Sequence, residues 1–265
     1  VAIIEVIILG IVQGLTEFIP VSSSGHLVLF QEVLGVSEAG LLFDVALHVG
    51  TLLALLIFFK KDILEIAHGF FAKKQKETYL VFYLTIATLP AVVAGLLLQD
   101  LAATTFRSPS LVAVTLGFFG VIMLLAETYA SKRQKIEHAT AVSFRQALII
   151  GGSQAFAIVP GVSRSGVTIS AGLFAGLSRV AAARFSFLLA IPVIFGASVK
   201  VLLNDGAISQ VAAAPLSFGL GFMAALISGL FAIRFLLNFV AKRSIAAFAY
   251  YRFVVAAVVL IFLLR

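Results

Sequence analysis

Six apolar runs, at residues 41–59, 79–98, 111–129, 185–203, 216–237 and 246–264, dominate this sequence. Each is close to the roughly 20 residues that a helix needs to cross a hydrocarbon core about 30 Å thick. In lipid, helix is the form such runs take, because a helix satisfies its own backbone polar groups. Hydrophobic residues make up 62% of the chain and charged ones 12%, against about 25% charged in a soluble domain. The fold class expected is an all-α polytopic membrane protein; nothing in the chain would fold alone in water. The net charge of +7 does not point to nucleic acid, because the basic residues sit in short loops between apolar runs. That pattern fits membrane topology and anionic lipid headgroups. Cysteine is absent, which excludes disulfides and thiolate metal sites. No cleavable signal peptide is expected, since the opening apolar run leads straight into a polar motif.

Two further segments, 2–30 and 144–175, are apolar at both ends and broken in the middle by Pro, Gly and Ser. Backbone freed by such residues is tolerated at membrane depth only against protein or a wet cavity. Both segments are therefore expected to be re-entrant helix–loop–helix hairpins, added to the six spans. They align without a gap at an offset of 141 residues: Gly10 with Gly151, Gln13 with Gln154, Ser22 with Ser163, Ser24-Gly25 with Ser165-Gly166. Three spans follow each hairpin. An odd number turns the second copy upside down, the inverted-repeat plan of many transporters. The chain is thus expected to be one membrane domain of two inverted repeats, about 1–130 and 144–265.

Loop charge orients it. Lys60, Lys61, Lys73, Lys74 and Lys76 follow the first span; Lys132, Arg133, Lys135 and Arg145 follow the third; Lys242 and Arg243 follow the fifth. The alternate loops, 99–110 and 204–215, hold only Arg107. The positive-inside rule assigns the basic loops to the cytoplasm, both chain ends to the outside, and opposite entry sides to the two hairpins.

The first broken segment reads "QGLTEFIPVSSSGH" and the second "PGVSRSGVT". Ionisable groups inside a membrane are costly and are functional candidates by default. A serine with a nearby imidazole and carboxylate is the parts list of an activated nucleophile; Ser23, His26 and Glu17 supply it. Ser23 and His26 are three apart, close enough to meet on a helical turn. At the offset of 141 the second copy has Arg164 for Ser23, Ile158 for Glu17 and Val167 for His26. Arginine forks onto phosphate oxygens. With Ser163, Ser165, Thr168 and free backbone N–H groups it would make an oxyanion cradle. A nucleophile facing an anion clamp is what phosphoryl transfer requires. From the residues, the chain reads as an enzyme acting on a phosphate ester or anhydride of a lipid.

The two motifs, in this order and at this spacing, resemble the signatures of the undecaprenyl-diphosphate phosphatase (bacitracin-resistance) family, and the likeness covers essentially the whole chain. The resemblance implies a bacterial inner-membrane enzyme that removes one phosphate from undecaprenyl diphosphate. Its product would be the lipid carrier for peptidoglycan. It further implies an active site open to the periplasm. Carried over by position, Ser23 resembles the family's nucleophile, His26 its acid/base partner, Glu17 the second acid of an E-x-x-x-E pattern and Arg164 its phosphate-binding arginine. Ser22, Ser24, Ser163, Ser165, Thr168 and Gln13 are further candidates for holding phosphate. Gln13 stands where the pattern has its first acid. The family's need for Mg²⁺ or Ca²⁺ would rest here on Glu17 and the substrate's own phosphates. A homodimer is left open.

Asp44 and His48, four apart on the first span, share a helical face; they are secondary site candidates whose first reading is an interfacial acid with a satisfied histidine and whose alternative is a direct role. Arg179 and Arg184 read as cytoplasmic anchors, and Asp100, Glu127 and Arg234 need no functional account. The competing class is a lipid flippase or transporter with the same repeat plan. Against it stands asymmetry, since Glu17, Ser23 and His26 have no counterparts in the second half. A structural scaffold would leave the intramembrane Glu, His and Arg without purpose.

Overall fold

The computed structural model describes residues 2–35, 40–131, 136, 138–203 and 206–264. The basic residues Lys132, Arg133 and Lys135 lie outside the described residues. The first half begins with α1 (Ile3–Phe18) and α2 (Ser23–Leu34), joined by a break at Ile19, Pro20 and Val21. α3 (Gly40–Phe58) runs into α4 (Lys60–Phe71) through a 71° bend, and α5 (Gln75–Leu97), α6 (Gln99–Ala103) and α7 (Pro109–Ala130) complete this half. The second half opens with α8 (Phe144–Gln154), a 3₁₀ turn (Ala155–Ile158) and α9 (Arg164–Phe174). α10 (Arg179–Leu202), α11 (Ala207–Ala213), α12 (Pro215–Lys242) and α13 (Ala246–Leu263) follow.

Five of these helices, α5, α7, α10, α12 and α13, are long and apolar enough to cross a membrane, and the bent pair α3–α4 makes a sixth candidate. The chain is an all-α, multi-pass membrane protein. Large side chains such as Leu97, Phe118, Phe195 and Ile227 lie more than half exposed, as a lipid-facing belt requires. Two expectations need refining. The loops at 99–110 and 204–215 are not plain loops but carry the short helices α6 and α11. The basic segment after the first span is the helix α4, with Lys60, Lys61 and Glu65 exposed beside Ile63 and Ile66, which pack on the core. Its composition suits the membrane interface.

Packing follows a reciprocal pattern. α1 lies on α12, and α8, its counterpart at the 141-residue offset, lies on α5, the counterpart of α12. α3 packs on α12 and α10 on α5 in the same way, while α3 meets α10 and α7 meets α13 directly. Lipid tails are as apolar as leucine, so helices in a bilayer associate through close van der Waals contact between small residues. On α1 those are Gly10 and Gly14, facing Gly221, Ala225 and Gly229 of α12. A Cβ on Gly10 would sit 2.5 Å from the Gly221 carbonyl oxygen, and one on Gly151 of α8 would sit 2.4 Å from Ala87 Cα on α5.

Gly14 is the tightest of these contacts. A Cβ there would lie 2.0 Å from Ser228 Oγ and 2.5 Å from the Ala225 carbonyl oxygen. Backbone cannot step aside, so Gly14→Val must part α1 from α12 and carry the α1–α2 tip with it. Overpacking a close-packed interior costs about 1–3 kcal/mol, and the loss here should lie at the upper end or beyond. Thermal unfolding in detergent checks this; a variant with an unchanged midpoint would mean that the contact is looser than drawn.

Candidate active site

Both hairpin tips are built on the same strained turn. Ser22 has φ 78° and ψ 92°, and Ser163 has φ 73° and ψ 107°. A non-glycine residue at positive φ costs of order 1–3 kcal/mol and persists where its surroundings over-determine it. Each serine caps the helix that follows. Ser22 Oγ accepts the Gly25 N–H at 3.3 Å, and Ser163 Oγ accepts the Gly166 N–H at 3.1 Å. Ser22 Oγ also accepts the Gly161 N–H of the other tip at 3.0 Å, so the two breaks are bonded to one another. Gly161 itself must be glycine: its φ is 91°, and a Cβ would lie 1.9 Å from Thr115 Oγ1.

A second clamp comes from an unexpected quarter. Arg252 on α13 is fully buried. Its guanidinium donates to the carbonyls of Gly161 at 2.7 Å, Val162 at 3.1 Å and Leu116 at 3.1 Å, and reaches that of Pro20 at 3.5 Å. Carbonyl dipoles rather than a carboxylate satisfy this cation. It fixes the second tip from behind and touches the first.

Where the tips meet lies a cavity of about 100 Å³ lined by Glu17, Ser23, Ser24, His48, Ala157, Ser163 and Arg164. That is room enough for a phosphoryl group or several waters. α2 and α9 both begin at its wall, with Ser23 and Arg164 as their first residues. The N-termini of helices favour anions through free N–H groups and the macrodipole. Arg164 supplies formal charge on top of both.

Glu17, buried on α1, is the hub. Its Oε1 accepts from Arg164 Nη2 at 2.7 Å, and its Oε2 accepts from Ser23 Oγ at 2.6 Å and from Gln13 Nε2 at 3.0 Å. Arg164 Nη1 also donates to the Ser186 carbonyl at 3.2 Å, which sets the guanidinium plane. His48 Nε2 stands 3.6 Å from Glu17 Oε2. Its Nδ1 lies 2.7 Å from the Asp44 backbone carbonyl. A carbonyl only accepts, so Nδ1 carries a proton, and Nε2 is the ring nitrogen turned toward Glu17 and the cavity.

The structure joins Glu17, Ser23, Ser24, Ser163 and Arg164 at the cavity and leaves the other sequence candidates behind its wall. Ser22, 1% exposed, is spent on capping and on Gly161. Ser165 Oγ faces Ser163 Oγ at 3.3 Å and the Ile19 carbonyl at 3.5 Å. Thr168 bonds to the Arg164 carbonyl and to Ser186 Oγ on α10. Gln13 touches Glu17 but not the cavity, and its Oε1 is buried without a partner.

Ser23 and His26 are not brought together. His26 Nδ1 donates to the Ser22 carbonyl at 2.8 Å, which leaves Nε2 as an acceptor, and it takes the Tyr251 hydroxyl at 2.8 Å. The imidazole stacks on the Tyr251 ring, 5.6 Å between centroids. Both ring nitrogens are thus occupied away from Ser23, and Glu17 holds the hydroxyl that His26 was expected to hold.

The secondary candidates divide. Asp44 pairs with Arg107 at 3.1 Å and accepts from Gln31 at 2.6 Å, partners that its reading as an interfacial acid did not name. His48 is instead a cavity residue. Arg179 pairs with Glu127, and Arg184 pairs with Asp62 and lies over the Phe59 ring at 5.3 Å. Arg252 and Tyr251 were missed, because a polar residue early in an apolar helix looks like an interfacial anchor until its distant partners are known.

Among the described residues no three His, Cys, Asp or Glu side chains converge on a metal position. Both oxygens of Glu17 are already bonded to protein donors. Of the residues that line the cavity Glu17 alone is a carboxylate, so a Mg²⁺ or Ca²⁺ held there would draw its other ligands from the substrate's phosphates and water.

The sequence matches the family model described as bacitracin resistance protein BacA over residues 6–258. A relative from Rubrobacter xylanophilus, named undecaprenyl-diphosphatase, is 45% identical over 99% of this chain and 98% of its own. One of the same name from Caldicellulosiruptor bescii is 44% identical over 98% of this chain and 97% of its own. A third, from Desulforudis audaxviator, is 43% identical over 98% of each. With the site and both of its motifs inside the matched span, this chain belongs to the family of bacitracin resistance protein BacA.

Proposed function

We propose that this chain is a membrane-embedded phosphatase that hydrolyses undecaprenyl diphosphate to undecaprenyl phosphate and inorganic phosphate, returning the lipid carrier to envelope-glycan synthesis and so conferring bacitracin resistance. One observation carries the reading: the hydroxyl of Ser23 donates to buried Glu17, which is paired with Arg164, in a cavity at two helix N-termini.

The terminal phosphate sits in the cavity with Arg164 and the first N–H groups of α2 and α9 on its oxygens. Ser23 Oγ attacks phosphorus while its proton passes to Glu17 Oε2, 2.6 Å away. The bond from phosphorus to the bridging oxygen breaks, and prenyl phosphate departs as a stable anion. Water then hydrolyses the phosphoserine, and Ser23 recovers its proton. His26 serves this chemistry as a positioning residue, tying the first tip to Tyr251. A divalent cation, where the reaction uses one, arrives on the diphosphate.

The two halves, 1–130 and 144–265, are an inverted repeat in this reading; the reciprocal packing of α1 on α12 and α8 on α5 supports it. The enzyme sits in the bacterial inner membrane with its active site and both chain ends toward the periplasm. Ion pairing supports the grouping of residues by side on which the loop-charge orientation rests. Arg107 pairs with Asp44, both assigned outside by loop charge, while Asp62–Arg184 and Glu127–Arg179 join residues assigned to the cytoplasm. A flippase is disfavoured, because its task gives no reason for a hydroxyl bonded to a carboxylate on one tip only.

The test is release of inorganic phosphate from a long-chain prenyl diphosphate by the purified protein, with and without a chelator. Release is expected, and chelation should slow it by weakening the substrate's charge neutralisation. No release in the presence of either Mg²⁺ or Ca²⁺ rejects the reading.

A further inference from the structure

The proposed phosphatase cycle leaves one proton without a destination, and the cavity holds a group placed to take it. After the first step Glu17 carries the proton from Ser23. In the second, the oxygen of a water bonds to phosphorus and the Ser23 Oγ–phosphorus bond breaks. The leaving Oγ must regain a proton, and Glu17, 2.6 Å away, returns it. While Oε2 of Glu17 donates to the leaving oxygen, its Oε1 is held by Arg164 at 2.7 Å, so another base is better placed to take the water's proton.

We propose that His48 is that base, a catalytic residue for hydrolysis of the phosphoserine; the inference rests on the phosphatase reading above. Three observations carry it. His48 lines the cavity with Ser23 and Arg164 and keeps 28% of its side chain exposed, so a water can reach it. The Asp44 carbonyl, 2.7 Å from Nδ1, sets the tautomer of the neutral ring, in which Nε2 is the basic nitrogen and faces inward. And Nε2 lies 3.6 Å from Glu17 Oε2, so the imidazolium formed is stabilised by the carboxylate that the same step regenerates.

Sequence asymmetry agrees with the assignment. At the offset of 141 His48 corresponds to Leu189, so this imidazole falls in the half that also has Glu17 and Ser23 to itself. His26, the histidine of the first tip, has both ring nitrogens engaged by the Ser22 carbonyl and Tyr251. The groups facing His48 Nε2 across the cavity are Glu17 and Arg164, one anion and one cation already paired with each other.

The test uses the purified full chain in detergent and a prenyl diphosphate radiolabelled on its terminal phosphate. His48→Ala should lower steady-state phosphate release by about 10²–10⁴-fold, the range for loss of a general base. Prenyl phosphate should still appear in a burst of about one per protein. The acid-quenched variant should carry label on Ser23, and added imidazole should raise release at least tenfold. His48→Gln, which keeps a polar group but no base, should show the same labelled protein. Release within threefold of wild type overturns the proposal. So does a loss without label on Ser23 or without recovery by imidazole, because a packing role gives neither. If wild type itself releases no phosphate, the phosphatase reading fails first and takes this one with it.

Discussion

Ser23→Ala is expected to lower phosphate release from a prenyl diphosphate by at least about a thousandfold while leaving the fold intact. Removing the nucleophile of an enzyme that works through a covalent intermediate commonly costs far more than that, with only binding and electrostatic stabilisation left to act. The hydroxyl makes a single hydrogen bond, to Glu17 Oε2, and losing one such bond to a charged partner costs about 1.5–3 kcal/mol. The neighbouring serines provide the contrast. Ser22→Ala removes a cap and the bond to Gly161 N–H, so it should unfold more easily, by about 1–2 kcal/mol, and lose activity only as far as the tip shifts. Ser24→Ala should change release by less than about tenfold, because Ser24 lines the cavity without touching Glu17 or Arg164. Phosphate release and thermal unfolding measured on the three variants separate these roles. A Ser23→Ala protein that kept a tenth of the wild-type rate would exclude the serine as nucleophile.

Which parts of this site were legible in the sequence follows from how local each signal is. The broken helices were readable, because Pro20 and Gly161 interrupt apolar runs that lipid would otherwise keep helical. The pairing of the tips was readable from the gapless offset, which singled out Ser23 and Arg164 as the position that changed. The direction in which each side chain points was not. His26 is three residues from Ser23, yet its ring is set by Tyr251, 225 residues away. Asp44 and His48 share a helical face, yet the bond between them runs to the Asp44 backbone, freeing the carboxylate for Arg107 and the imidazole for the cavity. Arg252 was invisible for the same reason, since its partners are carbonyls on α7 and both tips. The bend between α3 and α4 left only a weak trace, because a run of lysines after an apolar stretch reads equally as a loop or as a helix lying on the interface.

If the two tips are copies of one motif, the proposed mechanism gives a reason for one of them to diverge. Both keep the serine that caps the next helix at positive φ, because that turn is what opens a helix N-terminus at the junction. Two identical tips would place either two nucleophiles or two arginines against each other. In the proposed mechanism Ser23 on one tip and Arg164 on the other let the same backbone supply attack from one side and charge from the opposite one.

The pair Glu17–Arg164 joins the halves, and its two functions can be separated. Arg164→Met should lower phosphate release by about 10³–10⁵-fold, the range seen when an arginine that stabilises a transferring phosphoryl group is lost. The same change leaves Glu17, 6% exposed, without its cation. Removing one partner of a buried pair costs about 3–5 kcal/mol, chiefly through the charge left behind. Adding Glu17→Gln takes that charge away, so the double variant should regain most of the lost stability. It should not regain activity, because both the phosphate clamp and the acceptor for the Ser23 proton are gone. Arg164→Lys should fall between, since an ammonium can neutralise Glu17 but cannot also fork to the Ser186 carbonyl and a phosphate. Thermal unfolding and phosphate release on the four proteins decide the matter. If Arg164→Met stayed as stable as wild type, the pair would not be buried as described; if the double variant recovered release, neither side chain would belong to the chemistry.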